Sequence, residues 1–233
     1  MQLANAVVLI TGANRGIGLA FAREALARGA RRVYAAARDP ASVQLAGVEA
    51  IRLDVTDPQQ VERIARECND VTVLINNAGI AATGGFLADT GLASTRRHLE
   101  TNFFGPLHMA QAFAPVLGAN GGGAILNVLS IASWINRSLL GVYGASKSAA
   151  WALTNGLRHE LRSQRTQVTA LHMGFVDTDL TRDIQAPKSA PEGIVRLAFD
   201  GLERGAEEVL ADEATLQVKQ SLSGASPAYL VAA

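Results

Sequence analysis

The sequence predicts an α/β fold, a single-domain doubly wound parallel sheet of about seven strands with helices on both faces. Short apolar runs rich in β-branched residues alternate along the chain with longer segments whose apolar residues recur at helical spacing. Strands that are apolar throughout need cover on both faces, which is typical of parallel strands joined by helical crossovers. The ligand crevice of such a sheet lies at the carboxyl ends of its strands.

The individual elements follow from this alternation. The predicted strands cover residues 7–10, 33–37, 48–53, 71–75, 124–129 and 168–173, with a weaker seventh at 208–211. The predicted helices cover residues 17–27, 58–68, 92–117, 144–163 and 190–204. A capping box marks the start of the last helix, where Ser189 precedes Glu192, Pro191 lies in the first turn and Gly205 stands just beyond the end.

Composition and charge exclude several classes of function. The 233 residues are 48% hydrophobic and 18% charged, which fits a single domain spanning residues 1–233. Because 21 Lys and Arg balance 21 Asp and Glu, neither nucleic acid nor a membrane surface is an expected partner. One cysteine, Cys68, excludes an internal disulfide, and the histidines lack metal-ligand spacing, so no metal is expected. No apolar run approaches the ~20 residues of a membrane span and no basic segment precedes the first strand, which predicts a cytoplasmic protein.

The first predicted strand runs straight into a glycine-rich turn, TGANRGIG at residues 11–18. Glycines let the backbone bend sharply and approach a pyrophosphate, while the following helix N-terminus offers N–H groups and the positive end of a dipole. The turn predicts a dinucleotide site, although a tight strand-to-helix turn without a ligand has the same pattern. The candidate contacts here are Gly12, Asn14, Arg15, Gly16, Ile17 and Gly18.

The end of the second predicted strand bears on which dinucleotide binds. An acidic residue at that tip would bond the adenosine ribose and favour NAD, whereas a nearby arginine would pair with a 2′-phosphate. Ala37 occupies the tip, Arg38 follows it, and Arg15 in the glycine-rich turn could reach the same phosphate. The pattern favours NADP(H) over NAD(H). Two alternatives stay open: both arginines are solvated surface residues, or Asp39 turns inward and selects NAD.

The third and fourth strand ends carry further candidate contacts. After the third strand, Val55 lies where an adenine ring could stack, and Asp54 could accept from its exocyclic amine or simply cap a turn. The fourth strand ends in NNAG at residues 76–79, where small residues allow close approach and Asn side chains can tie strand ends together. Asn77 fits a structural role equally well. The predicted contacts are Asp54, Val55, Asn76, Ala78 and Gly79.

Four polar residues form a candidate catalytic constellation. Tyr143 opens a predicted helix and Lys147 follows four residues later on the same face. A phenol is a poor acid–base catalyst at neutral pH until a cation lowers its pKa, which Lys147 would do while also bonding the nicotinamide ribose. Ser130 ends a buried strand and is suited to polarising a carbonyl. Asn102 lies within an apolar helix, where its amide either holds a water linked to Lys147 or satisfies a main-chain carbonyl.

Together these motifs resemble the short-chain dehydrogenase/reductase family along most of residues 5–212. The resemblance implies a Rossmann fold and a catalytic tetrad. Tyr143 would exchange the proton, Lys147 would lower its pKa, Ser130 would orient the carbonyl, and Asn102 would anchor a proton-relay water. It also implies that Arg15 and Arg38 are similar to the basic pair of the NADP-preferring subgroup, and that the carboxamide meets Gly174, Val176 and Thr178.

The chain departs from the family pattern in three places. Met173 stands where a proline usually precedes Gly174, and Leu129 where a second serine often precedes Ser130. The usual Asp-Gly-Gly after the last strand is absent, and residues 213–233 form a different tail. Because many family tetramers use that end as an interface, we expect a homo-oligomer in which a dimer through helices 92–117 and 144–163 is favoured over a tetramer.

Two segments, residues 131–142 and 175–205, are predicted to wall the substrate pocket, with residues 177–188 as a short lid. Their apolar character predicts a hydrophobic substrate, unless Trp134, Leu139 and Leu140 pack at an interface instead. His172 and Trp151 are interpreted as core residues and His98 as a helix-surface residue. The predicted wall consists of Ile131, Ala132, Ser133, Trp134, Leu139, Leu140, Val142, Phe175 and Leu180, with Asn136 and Arg137 as polar contacts.

The sequence therefore favours an NADP(H)-dependent carbonyl reductase acting reversibly on a small hydrophobic carbonyl or alcohol. One alternative comes from another class, a regulatory protein that senses the dinucleotide without performing chemistry. A second alternative is an NAD-linked alcohol dehydrogenase in which Asp39 reads the ribose.

Overall fold

A computed structural model describes residues 1–137 and 140–230 of the chain. Its strands are β1 (Val7–Thr11), β2 (Arg32–Ala37), β3 (Glu49–Arg52), β4 (Val73–Asn76), β5 (Ala124–Val128), β6 (Gln167–His172) and β7 (Glu208–Leu210). In the described residues these strands form one parallel sheet in the order β3-β2-β1-β4-β5-β6-β7. The predicted α/β fold is confirmed, including the weak seventh strand.

Helices cover both faces of this sheet. They are α1 (Gly16–Ala27), α2 (Pro58–Glu67), α3 (Gly91–Leu99), α4 (Gly105–Ala119), α5 (Gly141–Glu160), α6 (Pro191–Glu203) and α7 (Glu213–Ser221). Successive side chains of β1 enter opposite cores, because strand residues alternate between faces. Val8 and Ile10 join the core under α1 and α6, where Phe21 and Phe199 meet edge to face at 5.2 Å. Val7 and Leu9 join the core under α2, α4 and α5.

The strand order places a crevice beside the glycine-rich turn. β1 lies between β2 and β4, so the chain leaves β1 in one direction and later returns on its other side. At such a reversal the connections after neighbouring strands diverge and open a cleft at the carboxyl edge. The strands were expected to be covered by helices on both faces, but β3 is not. Because β3 is an edge strand, Glu49, Ala50 and Arg52 are exposed.

The predicted helix 92–117 is interrupted by one π-helical turn at Glu100–Phe104, between α3 and α4. A π turn inserts an extra residue into the helical ladder and is frequent at functional sites. In this turn the side chain of Asn102 is buried, whereas Phe104 is exposed.

One expectation about a helix end was wrong. The predicted capping box does not form, because α6 begins after Ala190 without a side-chain cap. Ser189 is instead held in extended backbone, where its N–H donates to the Phe175 carbonyl and its carbonyl accepts from Asp177. The tail also contains α7, whose N-terminus is capped by Asp212. Within the part of the chain described, no helix has the length and apolarity needed to cross a bilayer.

Candidate active site

A cleft of about 570 Å³ opens at the carboxyl edge of the sheet. Most of the residues singled out in the sequence line it, although they come from many separate elements. Those that line it are Gly12, Asn14, Arg15, Gly16, Ile17, Gly18, Arg38, Asp54, Val55, Ala78, Gly79, Ser130, Tyr143, Lys147, Gly174, Val176 and Thr178. Asn76 and Asn102 lie behind the cleft wall rather than on it.

The glycine-rich turn forms a cradle that a dinucleotide fits. Gly12 and Gly16 have positive φ values of 67° and 53°, which glycine adopts without strain. A Cβ atom on Gly18 would lie 2.1 Å from the Gly12 carbonyl oxygen, so any larger residue here would force the turn to open. The N-terminus of α1 has no side-chain cap at Arg15. Its first N–H groups therefore face the cleft as donors for an anion such as a pyrophosphate.

Asn77 has the structural role, since its side-chain amide donates to the carbonyls of Thr11 and Gly12 at 2.9 and 3.1 Å. The Thr11 hydroxyl in turn accepts from the N–H groups of Asn77 and Ala78. These bonds join the carboxyl ends of β1 and β4.

Asn76 is placed differently from its prediction as a cofactor contact. Its amide donates to Asn127 at 2.8 Å, and Asn127 donates to Thr154 of α5. Because residue 76 still belongs to β4, its side chain faces the interior and links β4 through β5 to α5.

The three residues predicted to decide between NADP(H) and NAD(H), which are Arg15, Arg38 and Asp39, are exposed and line the cleft. Arg38 lies on the cleft, and the Arg15 guanidinium is 3.7 Å from the Asp179 carboxylate. Asp39 accepts from the Ala41 N–H at 3.1 Å and caps the short turn Pro40–Ser42. Asp54 accepts from the Thr56 N–H and hydroxyl while also lining the cleft, so its turn role and its predicted contact role are compatible.

The three central catalytic candidates converge where β5 meets α5. The helix begins at Gly141, earlier than predicted, so Tyr143 and Lys147 lie in its first two turns. The Lys147 ammonium is 5.8 Å from the centroid of the Tyr143 ring and donates to the Val128 carbonyl at 2.8 Å. The Ser130 oxygen accepts from the Ala132 N–H at 3.1 Å, which leaves the hydroxyl hydrogen to donate to a ligand.

Burial decides the protonation states of this pair. It raises the pKa of Tyr143, with the Ser130 hydroxyl acting in the opposite direction, and it lowers the pKa of Lys147 to about 8. The net shift of the tyrosine pKa is upward because removing the phenolate from water outweighs the hydrogen bond from Ser130. The effect of Lys147 on this pKa stays a prediction. At neutral pH the phenol keeps its proton and the amine is mostly charged.

Asn102 hydrogen-bonds main-chain groups, which is one of the two roles that the sequence left open. Its carbonyl accepts from the Ile80 N–H, and its amide donates to the Ile80 carbonyl and to the Ser146 hydroxyl, each at 2.9 Å. A Cβ atom on Gly79 would lie 3.2 Å from the Asn102 carbonyl oxygen and 3.8 Å from the Lys147 nitrogen. Asn102 thus fixes the loop after β4 against α5, and Gly79 leaves room between the amide and the ammonium.

The segment after β6 lines the cleft, and its first residue is bonded to Asp212, which immediately precedes the tail. The Gly174 N–H donates to the Asp212 carboxylate at 2.6 Å, so this donor is not available to a carboxamide as the resemblance implied. Thr178 packs on the glycine-rich turn, since a Cβ on Gly16 would lie 3.3 Å from its methyl group. Asp212 was missed in the sequence because its partner is 38 residues away.

The predicted pocket wall is mostly absent from the cleft. Leu180 lines it, but Trp134 packs on the His172 ring, with centroids 4.0 Å apart, and Leu139 lies outside the described residues. The apolar lining comes instead from Ile80, Val128, Leu129, Met173 and Leu180. His98 is buried, not on the surface, and accepts from the Ala82 N–H at 3.2 Å. No group of three or more potential metal ligands occurs among the residues that the structure covers.

The cleft, the glycine cradle and the Ser130, Tyr143 and Lys147 cluster define a class of dinucleotide-dependent oxidoreductase. A family model described as short chain dehydrogenase matches residues 6–189, which shows that the chain belongs to the short-chain dehydrogenase/reductase family.

Individual relatives agree with this assignment. Dehydrogenase/reductase SDR family member 7B from Bos taurus is 32% identical over 209 residues, which is 82% of this chain but only 64% of that protein. A short chain dehydrogenase from Burkholderia cenocepacia in complex with NADP is 36% identical with a TM-score of 0.93, covering 97% of this chain and 95% of that chain. A relative from Burkholderia phymatum in complex with NAD is 25% identical with a TM-score of 0.84, covering 95% and 94%. These neighbours support a nicotinamide dinucleotide as the cofactor.

Proposed function

We propose that this protein is an NADP(H)-dependent oxidoreductase that reversibly reduces a small hydrophobic aldehyde or ketone. The observation that carries the proposal is that the Tyr143 phenol, the Ser130 hydroxyl and the Lys147 amine line the same cleft as the glycine cradle. Sensing a dinucleotide would not require these three groups together.

Each group has a separate task in the proposed reaction. A nicotinamide held in the cleft would supply the hydride for reduction and would accept it in oxidation. Tyr143 gives its proton to the carbonyl oxygen as negative charge develops there, and takes it back in oxidation. The Ser130 hydroxyl donates a hydrogen bond to the same oxygen and fixes the carbonyl in place. Lys147 stabilises the anionic phenolate that remains and would hold the nicotinamide ribose, with the Val128 carbonyl fixing its ammonium.

The preference for NADP(H) rests on the exposed end of the cleft. Arg15 and Arg38 both border it, and Ala37 stands where an acidic residue would repel a phosphate. The hydrophobic substrate class rests on the apolar side chains that line the cleft near Ser130, from Ile80, Leu129, Met173 and Leu180. We also propose that the protein forms a dimer through α3, α4 and α5.

Replacement of Tyr143 by Phe tests the proposal directly. NADPH oxidation is followed by absorbance over a panel of aliphatic and aromatic carbonyls, and NADPH affinity is measured alongside. Tyr143→Phe removes the proton donor and is expected to lower turnover by at least about a thousandfold without weakening NADPH binding. Wild-type turnover in this variant would show that another group is the acid. Tight NADPH binding by the wild type with no turnover over the panel would favour the sensing role instead.

One observation favours the NAD-linked alternative, which is that Asp39 also borders the cleft. Replacing Arg38 by Asp removes one cation and adds an anion at the proposed phosphate position. We expect NADPH affinity to fall by about ten- to a hundredfold while NADH affinity holds or rises. Equal affinities of the wild type for NADPH and NADH would favour Asp39 as the reader of the ribose.

A further inference from the structure

An aromatic cluster of one buried histidine and two partly buried tryptophans follows Ser130. His172, the last residue of β6, is fully buried, and its imidazole stacks on the Trp134 indole at 4.0 Å between centroids and 24° between planes. Trp134 ends the short turn Ile131–Ser133 that follows Ser130. Trp151 of α5 meets Trp134 edge to face at 6.3 Å. These two are the only tryptophans in the sequence.

The imidazole is bonded to the main chain of the proposed catalytic serine. Its Nδ1 atom lies 3.2 Å from the Ser130 carbonyl oxygen, and because a carbonyl only accepts, Nδ1 must carry the hydrogen. The same oxygen accepts from the Ser133 N–H, whereas the flanking residues Leu129 and Ile131 donate to main-chain carbonyls on the β6 side. His172 thus ties the carbonyl of Ser130 itself to β6, while Ser148 of α5 donates to the Ser133 carbonyl at 2.9 Å from the other side of the turn.

The other side of the cluster is closed by the tail helix α7. Lys219 lies with its ammonium 4.8 Å from the Trp134 ring centroid and 5.8 Å from that of Trp151, as cation–π contacts. Lys219 also pairs with Glu208 of β7 at 2.8 Å, and a Glu208 oxygen is 3.6 Å from Nε2 of His172. A continuous set of contacts therefore runs from α7 to Ser130.

If the cluster served only to pack the core, it would lower the stability of the fold. The Nε2 atom of His172 and the indole N–H groups of both tryptophans are buried with no hydrogen-bond partner in the described structure. Each unsatisfied polar group destabilises the fold, and an apolar side chain of similar volume would avoid that cost. Polar rings that are buried without hydrogen-bond partners are expected where a functional site needs them.

We propose that His172 is a positioning residue for Ser130, and that Lys219 of α7 locks Trp134 and His172 in that arrangement. The hydrogen bond to the Ser130 carbonyl and the stacked indole fix the turn from two directions. A hydroxyl that orients a carbonyl must be placed to a fraction of an ångström, so loosening this turn slows the reaction without touching the cofactor.

The test compares two replacements of His172 and uses carbonyl reduction by the full-length protein, so it rests on the proposed function. His172→Asn places an amide N–H near the position of Nδ1, whereas His172→Leu removes the donor at similar volume. We expect His172→Leu to lower kcat by about ten- to a hundredfold, His172→Asn to recover most of that loss, and NADPH affinity to stay within about twofold in both. Equal losses in the two variants, or wild-type kcat in His172→Leu, would overturn the proposal.

A second pair of variants serves if His172→Leu does not fold. The Lys219 side chain is about one-third exposed, so Lys219→Met leaves the core intact, and Gln217→Met on the same helix is the matched control because Gln217 bonds only Glu213. Lys219→Met is expected to change tryptophan emission and lower kcat severalfold, and Gln217→Met to change neither. Changed emission with unchanged kcat would refute the role of Lys219. A wild type that turns over no carbonyl would overturn the proposed function together with this inference.

Discussion

The two sides of the cleft are held in different ways. On the dinucleotide side, the ends of β1 and β4 are joined by short bonds between Asn77, Thr11 and Gly12, all within the strand ends and the turns that follow them. On the substrate side, the segment after β6 is held by Asp212, which caps α7, and the segment after β5 is contacted by Lys219 of α7. A shared cofactor needs the same cradle in every relative, while a substrate site can be reshaped by whichever element packs behind it.

After Tyr143→Phe, the largest effect is expected at Lys147, where the two sides meet. Lys147→Met removes the ammonium and should lower turnover by about a hundred- to a thousandfold. The same change should raise the free energy of unfolding at neutral pH by about 1–2 kcal/mol, since it removes a buried charge but leaves the Val128 carbonyl unbonded.

The pH dependence of that stability difference follows from the lysine pKa. The folded value is about 8 and the ordinary value 10.5, so between them the unfolded chain binds more protons and wild-type stability rises with pH. The advantage of Lys147→Met is therefore full below pH 8 and disappears toward pH 10.5. Urea unfolding of both proteins across this range measures it, and a constant difference would contradict the buried charge.

A smaller effect is expected in the glycine cradle, which tests whether the dinucleotide side is as rigid as its bonds indicate. Gly18→Ala places a Cβ 2.1 Å from the Gly12 oxygen and 2.5 Å from the Asn77 amide, so the turn must open. We expect NADPH affinity to fall by about ten- to a hundredfold and stability by about 1–3 kcal/mol. Gly193→Ala is the control, because nothing lies within 4 Å of that added atom. Unchanged NADPH binding in Gly18→Ala would show that the cradle yields easily.

The smallest effect concerns the ion pair that bridges the two sides. Arg15 of the cradle pairs with Asp179 of the substrate side at 3.7 Å, and both side chains are more than half exposed. Asp179→Asn frees Arg15 for a phosphate, so NADPH affinity should rise by about two- to fivefold while NADH affinity stays constant. Asp183→Asn in the same segment is the matched control. A gain for both cofactors would mean that the pair does not compete with a phosphate.

The same contrast between local and distant contacts explains how much of each side could be predicted from the sequence. The fold class, the glycine turn and the Tyr143 and Lys147 pair are encoded by neighbours within a few residues, and local patterns report them well. Asn76 failed because one residue of register decides whether a strand-end side chain faces the cleft or the interior. Trp134 failed because its partners, His172, Trp151 and Lys219, are brought together only by the fold.

Two further features lay beyond what the local sequence contains, for distinct physical reasons. The local pattern at Ser189 indicated a helix cap, but a main-chain bridge to Val176 holds it in extended backbone instead. The tyrosine pKa depends on how much water the folded cleft excludes, which the spacing of Tyr143 and Lys147 does not contain.

The π-helical turn at Glu100–Phe104 changes the direction in which the side chains of α4 point relative to those of α3. An uninterrupted α-helix would rotate each residue by a fixed angle from the one before, so the face of α3 toward the loop after β4 would dictate the face of α4 toward the sheet. The extra residue adds a fixed offset of about 100° between the two. The face of α4 that carries Met109 and Phe113 can therefore be buried while α3 presents a different face to the loop after β4.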